Sequence, residues 1–131
     1  MFPYPRVANG SGGRDWDSIK FKRTGECSGL YVYTDPDHPA ECYVDWPVAT
    51  LWKSKGQTVK WVSDDGREYH VDFTQGHNGS PFAQTTFHVP SNGVVPSGPL
   101  TQSGKYYDYA IRDANGRICK PPSDPGLNVK P

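Results

Sequence analysis

Gln57-Thr58-Val59-Lys60-Trp61-Val62-Ser63-Asp64-Asp65-Gly66-Arg67-Glu68-Tyr69-His70-Val71-Asp72-Phe73 is the stretch that decides the fold. In its first half Val59 and Trp61 alternate with Thr58 and Lys60. In its second half Tyr69, Val71 and Phe73 alternate with Glu68, His70 and Asp72. A period of two sends successive side chains to opposite faces of a strand, so each half reads as a strand with one apolar face. Ser63-Asp64-Asp65-Gly66 between them reads as a hairpin turn, because Asp-Gly tolerates the positive φ that a tight turn demands. The reading is two strands, residues 57–62 and 68–73, paired with each other.

Outward from this stretch the same pattern repeats. Lys53-Ser54-Lys55-Gly56 is a turn. Upstream of it, residues 41–52 carry Tyr43, Val44, Trp46, Val48, Thr50 and Trp52, with Pro47 at an edge, bulge or bend because it cannot donate to a ladder. Residues 30–34 read as a strand and residues 19–22 as a weaker one. Asp35-Pro36-Asp37-His38-Pro39 breaks the chain between strands. Downstream, residues 74–83 form a polar loop with a short helical turn near 81–84, residues 85–89 a strand, and residues 90–98 a Pro/Gly/Ser-rich connection. Residues 105–112 form a central strand with Tyr107, Tyr109 and Ile111 alternating. Asp113-Ala114-Asn115-Gly116 turns the chain, residues 117–119 pair back, and residues 127–130 close the sheet. No segment carries a helical period of 3.6. About seven to nine short strands separated by turn signals make an all-β protein, a Greek-key β-sandwich. Residues 1–14 read as a flexible arm and residues 15–131 as one domain. Residues 1–40 could add strands or cover a sheet edge.

Composition agrees. The chain has 131 residues, with 14 Gly, 13 Pro, 8 Tyr, 4 Trp and 5 Phe, a mixture that favours a sandwich or barrel over a helical protein. Fourteen Lys and Arg balance fourteen Asp and Glu. With no clustered positive charge, nucleic acid is not an expected partner. No run of about 18 apolar residues suggests a membrane span. The start of the chain lacks signal-peptide features, which leaves a cytoplasmic protein or an exported one with its signal removed. Three cysteines, Cys27, Cys42 and Cys119, allow either one bridge with a thiol left over, Cys27 to Cys42 being the natural pair, or three reduced thiols. The absence of a Cys-x-x-Cys pair argues against a zinc ribbon.

Over residues 50–131 the chain resembles the cupredoxins. Lys53-Ser54-Lys55-Gly56-Gln57-Thr58-Val59-Lys60-Trp61-Val62 resembles that family's Gly-led turn into an aromatic-ended strand. Gly66-Arg67-Glu68-Tyr69-His70-Val71-Asp72-Phe73 resembles the segment bearing the first histidine ligand. Phe87-His88-Val89-Pro90, Gly104-Lys105-Tyr106-Tyr107-Asp108-Tyr109 and Leu127-Asn128-Val129-Lys130 are similar to the later strands. The resemblance implies a cupredoxin-like fold. It also implies a copper thiolate after the Gly-x-Tyr strand, where this chain has Ala110, or Ile111 if the register slips. No histidine follows His88, and Met1 is the only methionine. A blue-copper centre needs a thiolate and two imidazoles, so the expected protein is a copper-free member.

No metal or cofactor is therefore expected. The residues that could bind a metal in another way are His70, His77, His88 and Cys119. Set against that, His70 reads as a half-exposed strand residue, His77 as a solvated loop residue, His38 as part of a polar turn and Cys119 as a small buried hydrophobe. His70 and His77, with Trp16 and Trp46, mark a candidate binding surface, whereas Trp61 and Tyr109 read as core. Catalysis is not expected. There is no Gly-x-Ser-x-Gly or His-Glu-x-x-His motif, and Asp64-Asp65 and Asp35/Asp37 have local turn reasons to be where they are. The leading expectation is a non-catalytic binding module with a protein or carbohydrate partner. The alternatives are a copper-binding or electron-transfer protein with non-standard ligands and a carbohydrate-binding sandwich.

Overall fold

The computed structural model describes residues 27–119 and 125–131. The expected arm at 1–14, the strand at 19–22 and Trp16 lie outside them. Ten strands run in chain order: β1 (Cys27–Asp35), β2 (His38–Val44), β3 (Val48–Trp52), β4 (Thr58–Ser63), β5 (Tyr69–Asp72), β6 (Thr86–Val89), β7 (Val94–Pro96), β8 (Lys105–Asp108), β9 (Ala110–Arg112) and β10 (Gly126–Lys130). One 3₁₀ turn, Lys53–Lys55, precedes β4 and ends on Gly56 at φ 66°. Among the described residues no helix is long and apolar enough to cross a membrane.

The strands form the two layers of a β-sandwich. One sheet has the order β2-β1-β4-β7. The other consists of two three-stranded ladders, β3-β10-β8 and β6-β5-β9. These are joined because β8 and β9 are successive parts of one segment, interrupted at Tyr109, whose N–H bonds Pro125 O at 3.0 Å. Two pairings are parallel, β1 with β4 and β3 with β10. Parallel neighbours cannot be joined by a tight turn, so the chain passes repeatedly from one sheet to the other.

Alternation builds the core. Val59 and Trp61 of β4 and Leu30 and Val32 of β1 point inward from one sheet. Tyr69 and Val71 of β5, Phe87 and Val89 of β6 and Ile111 of β9 point inward from the other. Trp61 is wholly buried, and the rings of Phe73, Phe82, Phe87 and Tyr109 surround it with centroids 5.0–6.2 Å away. Its indole N–H donates to the Tyr109 hydroxyl at 3.3 Å, which meets the requirement that a buried donor be paired. Burial pushes the Tyr109 phenol well above its ordinary value.

Several expectations are corrected. Residues 63–66 are not a hairpin: β4 and β5 lie in different sheets, and the turn carries the chain across the sandwich. Both strands need their apolar faces against one core, and opposite sheets allow that. Asp65 fixes the corner. One carboxylate oxygen accepts from Thr34 N of β1 (3.0 Å) and the Tyr69 hydroxyl (2.7 Å). The other accepts from the Ser63 hydroxyl (3.2 Å) and Arg67 N (3.1 Å). Residues 41–52 form two strands in different sheets, with Asp45, Trp46 and Pro47 at the bend between them. The connection at 90–98 contains β7, an edge strand, where a proline is tolerated. Residues 117–119 contribute one bridge, Arg112 to Ile118, rather than a strand. Residues 81–84 hold a bridge from Phe82 to Leu100 and no helical turn.

The cysteine pairing is also corrected: the disulfide joins Cys42 to Cys119. In the β1–β2 hairpin Cys42 sits opposite Thr34. Cys27 is seven residues along β1 from that position, roughly 23 Å at strand spacing, far beyond the reach of a disulfide. The bridge ties the edge strand β2 of one sheet to the chain just after β9 of the other, across a sequence separation of 77. Closing so long a loop in the unfolded chain is worth about 4 kcal/mol in the chain-entropy account. Mapping of unreduced peptides will therefore find Cys42 linked to Cys119, and the Cys42→Ala/Cys119→Ala double variant will lose about 3–5 kcal/mol in urea denaturation. A loss under about 1 kcal/mol would contradict this account.

Candidate functional site

With Tyr69, Val71 and Phe73 committed to the core, β5 and the residue before it must turn Glu68, His70 and Asp72 outward. Antiparallel register sets their neighbours. His70 lies opposite His88 of β6 on one side and Arg112 of β9 on the other. Asp72 lies opposite Thr86 and Ala110. The outer face of this ladder is thus a polar stripe.

His70 and His88 stack, with ring centroids 5.0 Å apart and planes at 27°. The Glu68 carboxylate pairs with His88 Nε2. One donor atom from each of Glu68, His70 and His88 lies within 4.8 Å of the others. His88 is exposed, and Glu68 and His70 are half-buried. Next to this group Arg112 donates from Nε to Asp72 (2.8 Å) and from Nη1 to Gly116 O (2.8 Å). Burial pushes the Asp72 carboxyl up, but the Thr74 hydroxyl, the Arg112 guanidinium and the Thr74 N–H outweigh it and hold the group below the usual carboxylate range.

The other sequence-flagged residues lie elsewhere. His77 sits on a loop that crosses β8. Its N–H and Nδ1 both meet the Asp108 carboxylate, at 2.9 and 3.0 Å. Gly76 permits this approach, since a Cβ there would fall 2.1 Å from Asp108 O. Cys119 is consumed by the disulfide and has no thiolate to offer a metal. Trp46 is buried in the core cluster, which removes it from the candidate binding surface. The more exposed indole is Trp52, 40% accessible, with the Lys55 ammonium 5.5 Å from its ring. A second histidine–carboxylate group, Asp35, His38 and Glu41, occupies the β1–β2 hairpin. There His38 Nδ1 meets Asp35 at 3.0 Å, and Tyr43 donates to Glu41, which raises the phenol to about 12.

Two clefts flank the disulfide. One, of about 400 Å³, is lined among others by Thr34, Arg67, Glu68, Tyr69, Asp113 and Asn115. The other, of about 520 Å³, is lined by Arg117, Ile118 and Cys119 among others, and shares Pro39 and Asp113 with the first. Asp113 Oδ1 accepts from Asn115 N and Arg117 N, so the β9 turn that forms one wall is held from within. Neither Glu68 nor the clefts stood out in the sequence. Glu68 had a signal, its spacing of two from His70. Its meeting with His88 depends on register.

Because the folded chain holds Asp72 ionised to lower pH than the unfolded chain does, its stabilisation is complete above the ordinary carboxylate range and is lost as pH falls through the folded value. Asp72→Asn, which breaks the pair with Arg112, is expected to cost about 2–3 kcal/mol at pH 7. The gap between the variant and the parent should shrink as pH drops below about 4. Chemical denaturation of both proteins at pH 7 and pH 3 checks this, and a gap independent of pH would refute the assignment.

No protein-family model matches the chain, and no curated protein matches it. Among solved structures, a mutant of amicyanin in its reduced state is similar over 79% of this chain and 82% of its own, with 12% sequence identity and a TM-score of 0.48. A likeness at this level carries nothing about a metal or a partner.

Proposed function

We propose that this chain is a non-catalytic binding module that takes a polar segment of a protein partner in the cleft beside the Cys42–Cys119 disulfide. The observation that carries the reading is how the cleft is built. Its walls come mainly from β1, from β2, from the corner between β4 and β5 and from the turn after β9. Asp65 and Asp113 brace two of those walls by hydrogen bonds to backbone N–H groups. A cleft whose walls are already held needs little ordering when a ligand arrives. Its volume falls in the range usual for small-ligand sites.

The lining favours a peptide over a sugar. Arg67 lies beside Glu68, and Asp113 and Asn115 stand on another wall. The one aromatic ring in the lining, Tyr69, is only 1% accessible and offers no stacking face. With Trp46 buried, the stacking platform that a carbohydrate reading needs is reduced. A blue-copper role finds no support either. Ala110 and Ile111 stand where the family resemblance would put a thiolate, and Cys119 is in a disulfide.

Peptides selected from a random display library against the whole chain test the reading. Ala114→Trp, which fills the cleft from an exposed turn position, is expected to weaken selected peptides at least about tenfold, a loss of about 1.4 kcal/mol. Trp52→Ala, on the exposed end of β3, is expected to leave them unchanged. Peptides that bind Ala114→Trp as well as the parent, or a selection yielding none, would overturn the proposal.

A further inference from the structure

We infer that Glu68, His70 and His88 form a binding site for a borderline divalent transition cation, Cu²⁺ or Zn²⁺, at the rim of the cleft. The inference rests on the preceding reading only for what the site serves, because Glu68 lines the cleft and belongs to the donor group at once.

The donors are placed by backbone register rather than by loop chance. His70 and His88 are directly opposed across an antiparallel pair, where Cβ atoms lie about 4.5–5.5 Å apart. Glu68 precedes His70 by two residues and projects from the same face. The result is two imidazoles and one carboxylate with their donor atoms within 4.8 Å of each other. A tetrahedral ion with bonds of about 2.0–2.1 Å holds its ligand atoms roughly 3.4 Å apart. Closing that difference requires the His70 and His88 rings to turn out of their stack so that their in-plane lone pairs converge, a change open to side chains that are exposed or half-buried. Two imidazoles with a carboxylate suit Zn²⁺ and Cu²⁺, and Cu²⁺ stands higher in the affinity order. Arg112, opposite His70 on β9, is offset by Asp72 and directed to Gly116 O. With three protein donors, the ion keeps a coordination position for water or for a group on the cleft's occupant.

The donor set contains no sulfur, so the bound Cu²⁺ would lack an intense thiolate band. Among the described residues the Asp35, His38 and Glu41 group is the competing candidate. It spans the β1–β2 hairpin, where Asp35 already accepts from Asp37 N and meets His38.

Titration of the whole chain with CuCl₂ and ZnCl₂ against a chromophoric chelator, with electron paramagnetic resonance of the copper form, decides the matter. The expected result is one ion per chain, nitrogen splitting from two imidazoles and no intense visible thiolate band. His70→Ala and His88→Ala should each weaken binding at least about tenfold, and Glu68→Gln by a smaller factor. His38→Ala and His77→Ala should bind as the parent does. Unchanged thermal midpoints in the surface variants separate lost ligation from lost folding. Binding that survives in the His70→Ala/His88→Ala double variant, no saturable binding by the parent, or a strong thiolate band would each overturn the inference. Ala114→Trp keeps all three donors and should retain the ion. Peptide binding indifferent to Ala114→Trp, with metal binding still lost in His70→Ala, would defeat the cleft reading alone.

Discussion

Burial of Trp61 is the constraint on which the molecule is organised. An indole of that size needs apolar surface on every side and a partner for its N–H. One sheet cannot supply both. Phe73, Phe82, Phe87 and Tyr109 supply them from the chain facing β4. Once Tyr69, Val71 and Phe73 are drawn inward toward that core, period two leaves Glu68, His70 and Asp72 no place but the outer face. The polar stripe is thus the reverse side of the core. Its histidines meet because β6, also obliged to turn Phe87 and Val89 inward, turns His88 outward at the matching rung.

What the sequence made legible follows from that alternation. Trp61 and Tyr109 as core, the strands near 58–63 and 105–112 and the turn at 113–116 could all be read from spacing and turn chemistry. Pairing was less accessible. Asp64-Asp65-Gly66 has the residues of a hairpin. Only the competing claims of two apolar faces on one core make it a corner between sheets, and Asp65 reaches a distant residue, Thr34, that local reading does not see. Cys42 faces its partner because β2 is an edge strand near the chain after β9, a relation set by sheet order. In sequence Trp46 reads as part of one strand over residues 41–52 and as a candidate surface indole. In the fold a bend at residues 45–47 buries it in the core.

The candidate site was legible in its parts and not in its assembly. His70 and His88 were both recognised as possible ligands, yet so were His77 and Cys119, and nothing local separates the four. The fold does so: Asp108 holds His77 on another ladder, the disulfide removes Cys119, and register brings the remaining pair together with Glu68. The same face carries the Arg112–Asp72 pair, so a structural ion pair and a histidine–carboxylate group stand side by side.

The disulfide also has a topological consequence. Joining Cys42 to Cys119 makes a covalent ring that contains β3 through β9 and leaves β1 and β10 outside it. Those two strands are interior to their sheets, β1 between β2 and β4 and β10 between β3 and β8. Each lies parallel to a strand of the ring. A pull on the two ends of the chain therefore acts first on strands that lie outside the closed loop and pair with strands inside it. It loads their ladders along the strand direction, where many hydrogen bonds must yield together. The ring itself cannot lengthen until a sulfur–sulfur bond is cut, so an unfolding machine drawing on either end would extract one strand and then stall against covalent structure.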